Sequence, residues 1–281
     1  MKLWTANYDR VRDHKIVCPE VAKIFEHPIA QWYGERKGKR IKNLRYSIQR
    51  LFRRIPEGEI PVLVIYNMPN RDIGKFSKGG AESQAEYLEF VGEFAAGIGH
   101  HEPIVVFEPD SLPHTTLMDE AEAEARLDLT AQALDILKRD CAARVYVDIG
   151  HSNWLVPEQA ADLLKRVRAY NHAGFAVNVS NYRSTSESVS WSHEVCEHVP
   201  GMHFLVDTSR NGAGPYGNEW CNPPGRALGE LPTLDTGIRD CDGLLWIKVP
   251  GESDGTCNGG PRAGKYWPEQ GRELVLNSHL A

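Results

Sequence analysis

The stretch IVVFEPD, residues 104 to 110, shows the pattern that decides the fold: an apolar run that leads directly into carboxylates. Five further strand-like runs also lead into polar or charged residues. In a barrel of parallel strands the positions after the strands converge on one rim, where active sites are built. The pattern therefore predicts an α/β barrel whose working groups are carboxylates. The runs and the residues after them are VLVIY (62–66) before Asp72, IVVF (104–107) before Glu108 and Asp110, VYV (145–147) before Asp148, FAVNV (175–179) before Ser180 and Asn181, FLV (204–206) before Asp207, and LLWI (244–247) before Lys248, Glu252 and Asp254.

Segments with helical periodicity lie between these runs, which is the alternation expected of a parallel α/β fold. They span residues 81–96, 119–139, 157–170 and 186–198. The apolar run at residues 29–33 supplies a further strand, which brings the predicted total to seven. A chain of 281 residues suits one TIM-like barrel, since such barrels take about 250 residues. We therefore expect residues 1–281 to form a single domain.

The charge distribution argues against a nucleic-acid-binding protein. The chain has 32 Lys and Arg against 38 Asp and Glu, a formal charge of −6. Its cations gather only in residues 36–54, where Ile41, Leu44, Ile48 and Leu51 recur at helical spacing. This segment predicts an amphipathic helix with a solvated basic side. Nucleic-acid binding is the alternative use of such a segment, and the acidic remainder of the chain disfavours it.

Neither a membrane span nor a secretion signal can be recognised. No apolar stretch is long enough to cross a membrane, and the first residues lack the apolar core of a signal peptide. Either the protein is cytoplasmic or a leader has been removed. The six cysteines show no CxxC pair and no zinc spacing. Two of them lie in Gly-, Pro- and Asn-rich stretches, Cys221 in 210–226 and Cys257 in 250–267, and a disulfide between them would pin both loops beside the rim in an oxidising compartment.

Paired carboxyl groups across a cleft are the minimum equipment for hydrolysing a glycosidic bond. One must give a proton to the leaving oxygen, while a base activates water on the other face of the sugar. Asp110 is placed for the acid, because it follows a buried strand and the charges of Asp72 or Asp148 can raise its pKa. A single aspartate after a strand is more often a helix cap or turn residue. Together with Asp254 there are four, which favours a catalytic interpretation.

Tryptophans near the proposed rim strengthen the sugar hypothesis, since flat apolar rings suit the C–H faces of pyranose units. Trp154, in the polar run GHSNW, is the best candidate for an exposed platform. We expect Trp191 and Trp267 to be packing residues. The four tryptophans at or near the rim are Trp32, Trp154, Trp220 and Trp246.

Six motifs, taken in order, resemble the catalytic domain of the glycoside hydrolase family 6 cellulases over almost the full chain, and most closely the actinobacterial-type endoglucanases. The resemblance implies a distorted seven-stranded α/β barrel that hydrolyses β-1,4-glucan with inversion at the anomeric carbon. The motifs are VIYNMPNRD (64–72), VVFEPDSLP (105–113), YVDIGHSNW (146–154), NVSNYR (178–183), DTSRNGAGPYGNEWC (207–221) and LLWIKVPGESDG (244–255).

The resemblance assigns a role to each of the four aspartates. Asp110 would be the proton donor, and Asp72 would raise the pKa of the donor and help to hold the water chain. Asp254 would be the carboxylate usually proposed as base, with proton departure through water as the alternative. Asp148 would be an auxiliary acid that supports the local charge and substrate contacts.

The resemblance also assigns substrate contacts. Tyr66 would press on the distorted sugar at the cleavage point, and Arg71 would pair with the carboxylates. Family members carry a serine that helps to hold the water in the loop after the second aspartate; here the loop reads FSKGG, so Ser77 takes the role with Lys78 beside it, or the loop is rearranged. Further substrate-contacting positions are Trp32, His151, Trp154, Asn181, Trp220, Lys248 and Glu252.

The chain departs from the family in its cysteines. Relatives carry Cys directly after the second aspartate, bonded to another Cys beyond the EPD motif. This chain has Ile73 at that position and no Cys between residues 73 and 140. One of the two usual disulfides is therefore absent, and the resemblance leaves the pair Cys221 and Cys257.

An endo-acting cellulase is the first functional hypothesis. Only residues 255–266 separate Asp254 from Trp267, too few for the long loops that roof the active site of processive relatives, so an open cleft is expected. The alternatives are an exo-acting cellobiohydrolase, a catalytically impaired β-glucan-binding protein, suggested by Lys78, and a metal-dependent hydrolase, for which only His151 lies in a motif. We expect no metal and no cofactor, and a monomeric, extracellular protein whose partner is a β-1,4-glucan rather than nucleic acid or a membrane.

Overall fold

The computed structural model describes residues 2–6, 19–34, 41–74 and 76–280. Seven parallel strands form one curled sheet in the order β2-β4-β5-β6-β7-β8-β9, which confirms the predicted α/β barrel. A separate parallel pair joins β1 to β3. The strands are β1 (Lys2–Leu3), β2 (Gln31–Gly34), β3 (Glu59–Ile60), β4 (Val62–Tyr66), β5 (Ile104–Phe107), β6 (Arg144–Asp148), β7 (Gly174–Val177), β8 (His203–Asp207) and β9 (Cys241–Leu245).

The barrel is distorted where its first and last strands meet. Strands β2 and β9 are the two ends of the sheet and do not pair along their described residues. They approach through isolated bonds: the backbone N–H of Ala30 donates to the carbonyl of Trp246 (3.0 Å) and the indole of Trp32 to the carbonyl of Ile247 (2.8 Å). The sheet is therefore left open between its first and last strands.

The helices cover the outside of the sheet. Three of them start with the sequence Ser/Asp-x-x-Glu, and in each the first residue accepts a hydrogen bond from the backbone N–H of the glutamate, as N-capping requires. The described helices are α1 (Pro19–Ile24), α2 (Lys42–Phe52), α3 (Gln84–Ile98), α4 (Glu120–Asp140), α5 (Pro157–Arg166), α6 (Thr185–His198) and α7 (Pro268–Leu276).

Four predicted helices are confirmed with shifted ends, and one is shorter than expected. The segment 157–170 is helical only to Arg166, because Arg168 adopts a left-handed conformation (φ 59°) before a short 3₁₀ turn at Ala169–Asn171. The basic segment is helical over Lys42–Phe52, while residues 36–40 lie outside the described part of the chain.

Alternation along the strands divides the core into two layers. On β4, Val62 and Val64 belong to the cluster inside the barrel, whereas Leu63 and Ile65 pack in the larger cluster beneath the helices. Every one of these four side chains is buried. Strand β4 is therefore apolar on both faces, and its polar chemistry lies in the residues that follow it.

Three described tryptophans, Trp4, Trp191 and Trp246, are buried in the core. Trp191 is buried and its indole donates to the carbonyl of Leu155 (3.0 Å), as predicted. The placement of Trp246 as a candidate sugar platform was wrong: it is 1% exposed, and its indole donates to the carbonyl of Glu230 (3.0 Å). Across the described ranges, no helix combines the length and apolar character that a membrane crossing needs.

Candidate active site

A cleft of about 510 Å³ lies at the carboxyl ends of the strands. It opens to solvent, since three large apolar side chains on its wall stay well exposed: Phe76 (46%), Leu117 (60%) and Trp220 (41%). Every predicted catalytic and substrate-contacting residue lines this cleft except Asp148. Those that line it are Trp32, Tyr66, Arg71, Asp72, Ser77, Asp110, His151, Trp154, Asn181, Trp220, Lys248, Glu252 and Asp254.

Asp110 is presented to the cleft by an unusual backbone. Both Glu108 (φ 46°) and Asp110 (φ 67°) are left-handed, a region that residues other than glycine rarely adopt and that is often found at functional sites. The turn is held from below by Asp148, whose Oδ1 accepts the backbone N–H of Asp110 (2.8 Å) and that of Gly150 (3.1 Å). The carboxyl group of Asp148 thus fixes the residue that carries the predicted acid.

Asp148 itself lies beneath the cleft floor. It is fully buried, and its Oδ2 has no hydrogen-bond partner among the described residues. Burial raises the pKa of Asp148 well above its ordinary value, and the nearby charge of Asp110 raises it further. A buried carboxyl group with a free oxygen and an acidic neighbour favours the protonated form.

The loop after β4 carries Asp72. Its Oδ2 accepts the backbone N–H of Ser77 (2.6 Å), and both Asp72 (φ 57°) and Ile73 (φ 44°) are left-handed. Arg71 is 6% exposed; its guanidinium donates to the carbonyls of Tyr66 (2.7 Å) and Ser77 (2.8 Å) and lies 4.4 Å above the Tyr66 ring. The loop therefore positions Tyr66 and Asp72 together. The role of the Ser77 hydroxyl in holding water stays a prediction.

Asp254 is closely surrounded by donors. Nη1 of Arg210 donates to both of its oxygens (3.0 and 2.9 Å), and Tyr182 and the backbone N–H of Asn222 donate to Oδ2 (3.3 and 3.1 Å). Nζ of Lys248 lies 3.7 Å from Oδ1. Burial alone would raise the pKa of Asp254, but the positive charges of Arg210 and Lys248 outweigh it and hold the pKa below its ordinary value. Asp254 is a carboxylate at working pH.

Two acids that the sequence pattern counted among the strand-end carboxylates are structural. Glu108 is buried, and its carboxyl oxygens accept the backbone N–H groups of Asn67 (2.9 and 3.1 Å) and Met68 (3.1 Å). Burial raises the pKa of Glu108 to about 7. Asp207 is also buried and accepts four backbone N–H groups, which belong to Ser180, Ser209, Ile247 and Lys248. Neither lines the cleft; both tie strand ends together beneath it.

Aromatic and amide side chains form the rest of the cleft wall. Trp32 meets the edge of Tyr66, with ring centroids 5.4 Å apart, and Trp154 lies 5.8 Å from the His151 ring. Burial, followed by the charge of Arg183, lowers the pKa of His151 to about 4, so the imidazole is neutral near pH 7. The half-buried rings offer apolar faces beside neutral polar groups, a combination that suits a polyhydroxylated ligand.

The comparison with known proteins identifies the family. Residues 5–278 match the glycosyl hydrolases family 6. The chain belongs to this family.

Two similar relatives are named endoglucanases. Endoglucanase A of Cellulomonas fimi is 41% identical over 227 residues, which cover 80% of this chain and 49% of the relative. Endoglucanase 1 of Streptomyces sp. (strain KSM-9) is 43% identical over 221 residues, which cover 78% of this chain and 61% of the relative. The chain thus spans about half to three fifths of the length of these relatives.

A solved family 6 structure has the same architecture. The endoglucanase Cel6 from Mycobacterium tuberculosis, in complex with methyl-cellobiosyl-4-deoxy-4-thio-β-D-cellobioside, superposes with a TM-score of 0.89. The two are 34% identical, and the match covers 98% of this chain and 97% of that one. The seven-stranded sheet and the rim loops are therefore those of a family 6 catalytic domain.

A disulfide joins two loops near the cleft. Cys221 and Cys257 are bonded, and the intervening Asn222 donates from Nδ2 to the carbonyl of Gly255 (2.8 Å). The two Gly-rich loops are thereby joined next to Asp254. Among the described cysteines, Cys141, Cys196 and Cys241 are free. Within the described residues, no group of three or more His, Cys, Asp or Glu side chains is arranged to hold a metal ion.

Arg210 is the main functional residue that sequence reasoning missed. It lies in the motif DTSRNGAG, three residues after the strand-end Asp207. The turn-forming residues around it hide any periodicity. It is fully buried, its Nη2 donates to the carbonyl of Ser180, and its guanidinium lies 4.4 Å from the centroid of the Tyr182 ring. The sequence signal that could have pointed to Arg210 is the presence of a charged residue in a glycine-rich loop after a strand.

Proposed function

We propose that this chain is the catalytic domain of an endo-β-1,4-glucanase that hydrolyses internal bonds of cellulose or a related β-glucan with inversion at the anomeric carbon. The observation that carries the proposal is the open cleft, with Asp110 on its wall and the buried Asp148 directly behind. The names of the relatives above agree with this activity. An open cleft admits a polymer chain anywhere along its length, which an endo-acting enzyme requires.

Asp110 is proposed as the general acid. Burial and the charge of Asp110 raise the pKa of Asp148 well above its ordinary value, and two adjacent carboxyl groups do not both ionise readily. A proton held by the pair is accessible to substrate only at Asp110, because Asp148 is fully buried. As the bond between C1 and the glycosidic oxygen breaks, Asp110 donates its proton to that oxygen.

Water attacks C1 from the opposite face of the sugar and loses a proton. Asp254 has its oxygens occupied by donors from Arg210, Tyr182 and Asn222, so we assign to it the role of a fixed negative charge that stabilises the oxocarbenium-like transition state. The released proton then passes into cleft water held by Asp72. Asp254 thus keeps a role in the reaction, as predicted, but the water in the cleft, and not Asp254, accepts the proton.

The cleft wall is proposed to bind the glucan chain. The rings of Trp32, Trp154 and Trp220 stack on successive sugars, and Tyr66 presses on the sugar at the cleavage point, held by the Arg71 guanidinium above its ring. The polar side chains that contact sugar hydroxyls are Ser77, His151, Asn181, Lys248 and Glu252.

Two measurements test the function. Wild-type protein acting on hydroxyethyl cellulose should lower the viscosity steeply for each reducing end released; a viscosity that barely falls would assign the enzyme to exo action. On a short cello-oligosaccharide, NMR should detect the α-anomer first, and the β-anomer as first product would refute the inverting mechanism. Asp110→Asn is the inactive control for both assays.

We also propose that the protein is a monomer that works outside the cell. The disulfide between Cys221 and Cys257 supports an oxidising compartment. Size-exclusion chromatography with light scattering tests the first part, since a mass of twice 31.5 kDa would contradict it. Secretion in the native host, followed in the culture supernatant, tests the second.

A further inference from the structure

The positive charge of the sequence is densest in one segment, residues 36–54. Residues 36–54 hold nine of the 32 Lys and Arg and none of the 38 Asp and Glu, which leaves 23 cations against 38 acids in the rest of the chain. Most of the described part of this segment is α2. We call its exposed side the basic ridge; its members are Lys42, Arg45, Tyr46, Arg50, Arg53 and Arg54.

The ridge is held rigidly by the opposite face of the helix. Leu44, Ile48 and Phe52 are buried in the main core cluster. Helix α3 approaches so closely that a Cβ added to Gly97 would lie 2.8 Å from the Cβ of Ile48. The outward direction of the charged side chains is therefore set by the packing of α2.

The five cations of the ridge make no ion pair with any described residue. Several exposed cations elsewhere on the protein are paired with acids. Arg166 pairs with Glu124 and Asp128, and Arg168 pairs with Asp135. The ridge is thus a concentrated positive field on a protein that is otherwise acidic, which attracts an anionic polymer.

An aromatic ring lies within this field. Tyr46 is 70% exposed, and Lys42 and Arg50 are four residues before and after it, so the three side chains form one row on the helix surface. A flat ring between two cations matches a sugar that carries a carboxylate: the ring meets the C–H face, and the cations meet the charge. The strongly acidic remainder of the protein repels a nucleic acid, whose charges are far denser than one per sugar.

The helix that carries the row connects two parallel neighbouring strands, β2 and β4, so it begins at the end of the barrel where the cleft lies. Strand β2 carries Trp32 on the cleft wall and ends at Gly34, and the chain then enters α2, which returns along the outside of the barrel over about 16 Å. Lys42 is therefore at the rim end of the ridge and Arg54 at the far end. A glucan that extends beyond the cleft on this side meets the ridge.

We propose that the basic ridge binds carboxylated polysaccharide and that the enzyme favours β-glucans bearing carboxylate substituents over neutral ones. The proposal rests on the glucanase function proposed above and adds a substrate class to it. Binding at the ridge raises the local concentration of the anionic polymer at the cleft and changes no group that takes part in the reaction.

The test compares carboxymethyl cellulose with hydroxyethyl cellulose at about 0.01 M and about 1 M salt, where charges are screened beyond about 30 Å and about 3 Å. The ridge variant replaces Lys42, Arg45, Arg50, Arg53 and Arg54 by Gln. A control variant replaces five exposed cations of α4 and the α5 region by Gln, namely Lys138, Arg139, Lys165, Arg166 and Arg168.

At low salt the ridge variant should show a KM on carboxymethyl cellulose roughly tenfold above that of wild type. The control variant should change it much less, and high salt should remove the difference. The kcat values, and all constants on hydroxyethyl cellulose, should stay equal, which also shows that the variants are folded. Equal KM values for wild type and the ridge variant on the anionic substrate at low salt would overturn the proposal.

Two further outcomes keep this inference separate from the proposed function. If wild type fails to hydrolyse hydroxyethyl cellulose at either salt, the glucanase function fails before the ridge is tested. If a single-stranded oligonucleotide inhibits carboxymethyl cellulose cleavage at a lower concentration of charge than polygalacturonate does, the ridge belongs to nucleic acid and the proposal is wrong.

Discussion

Asp254 and Arg210 form a buried ion pair at the edge of the cleft, in which Nη1 of the guanidinium donates to both carboxylate oxygens. Arg210 is fully buried and Asp254 is 8% exposed. Such a pair is costly to break, because the remaining charge is left in a poorly solvated site. The link spans 44 residues of sequence and joins the loop after β8 to the loop after β9, so it has both a structural and an electrostatic consequence.

Replacing Asp254 by Asn should destabilise the protein by about 3–5 kcal/mol, since it leaves the Arg210 charge buried and unpaired. Urea unfolding followed by tryptophan fluorescence measures the loss. Asp128→Asn is the matched control, because Asp128 pairs with Arg166 on the surface, with both side chains about half exposed, and such pairs contribute little. Equal unfolding curves for wild type and Asp254→Asn would contradict the importance of the pair.

Asp110→Asn should lower kcat on cellulose by roughly 10²–10⁴-fold, which is the usual contribution of a general acid. Substrate affinity should persist, since the amide keeps the shape of the side chain. An aryl cellobioside whose leaving group needs no proton should recover much of the lost rate. Asp119→Asn, which changes a helix cap outside the cleft, is the control. A variant equally slow on both substrates would show that Asp110 does not act as proton donor.

Much of the barrel could be predicted, because its signals are local. Apolar runs of strand length, each followed by a carboxylate, alternate with capped helices, and parallel strands necessarily deliver their ends to one rim. The sequence could not tell which carboxylate would reach the cleft. Glu108 and Asp110 are two residues apart, yet only Asp110 lines the cleft, since both adopt left-handed backbone conformations that break the alternation of side chains.

The positions of Trp246 and Arg210 could not be predicted, because they depend on contacts between segments that are distant in the sequence. Trp246 lies near the end of the apolar run LLWI and was therefore expected at the rim, but it is buried in one cluster with Val21 and Ile24 of α1, a helix that the periodicity of the sequence did not predict. Arg210 was overlooked because its partner Asp254 lies in another irregular loop. Loops without periodicity give no direction for a side chain, so pairing between them has no local signal.

Removing the disulfide by Cys221→Ser with Cys257→Ser should cost about 2–4 kcal/mol of stability, as expected for closing a loop of moderate length. The bonded cysteines are 36 residues apart. Activity should fall as well, because Asn222, next to Cys221, donates to Asp254 (3.1 Å). Thermal unfolding with and without reductant measures the effect. Reductant should lower the Tm of the wild type and leave the double variant unchanged; a wild type indifferent to reductant would contradict the prediction.

Glu108 should make stability fall as the pH rises from 4.5 to about 7. Burial raises its pKa from 4.5 to about 7, so folding favours the protonated form. A group whose pKa is raised by folding contributes stability below its unfolded pKa, and that contribution is lost between pH 4.5 and about 7. The shift corresponds to about 3 kcal/mol at most. Glu108→Gln should remove this slope from the unfolding free energy measured by urea titration across that range.

Comparing the pH dependence of the unfolding free energy between wild type and Glu108→Gln separates the effect of Glu108 from that of other buried acids. Asp148 and Asp207 also have raised pKa values through burial and give slopes of the same sign, but they are present in both proteins and cancel. The Gln variant loses stability at every pH, since an amide NH2 that takes the place of Oε1 faces the backbone N–H of Asn67 and cannot accept its hydrogen bond; only the slope is diagnostic. Glu89→Gln, at an exposed site on α3, should keep the wild-type slope. Parallel curves for wild type and Glu108→Gln would show that Glu108 ionises as freely in the folded protein as in the unfolded chain.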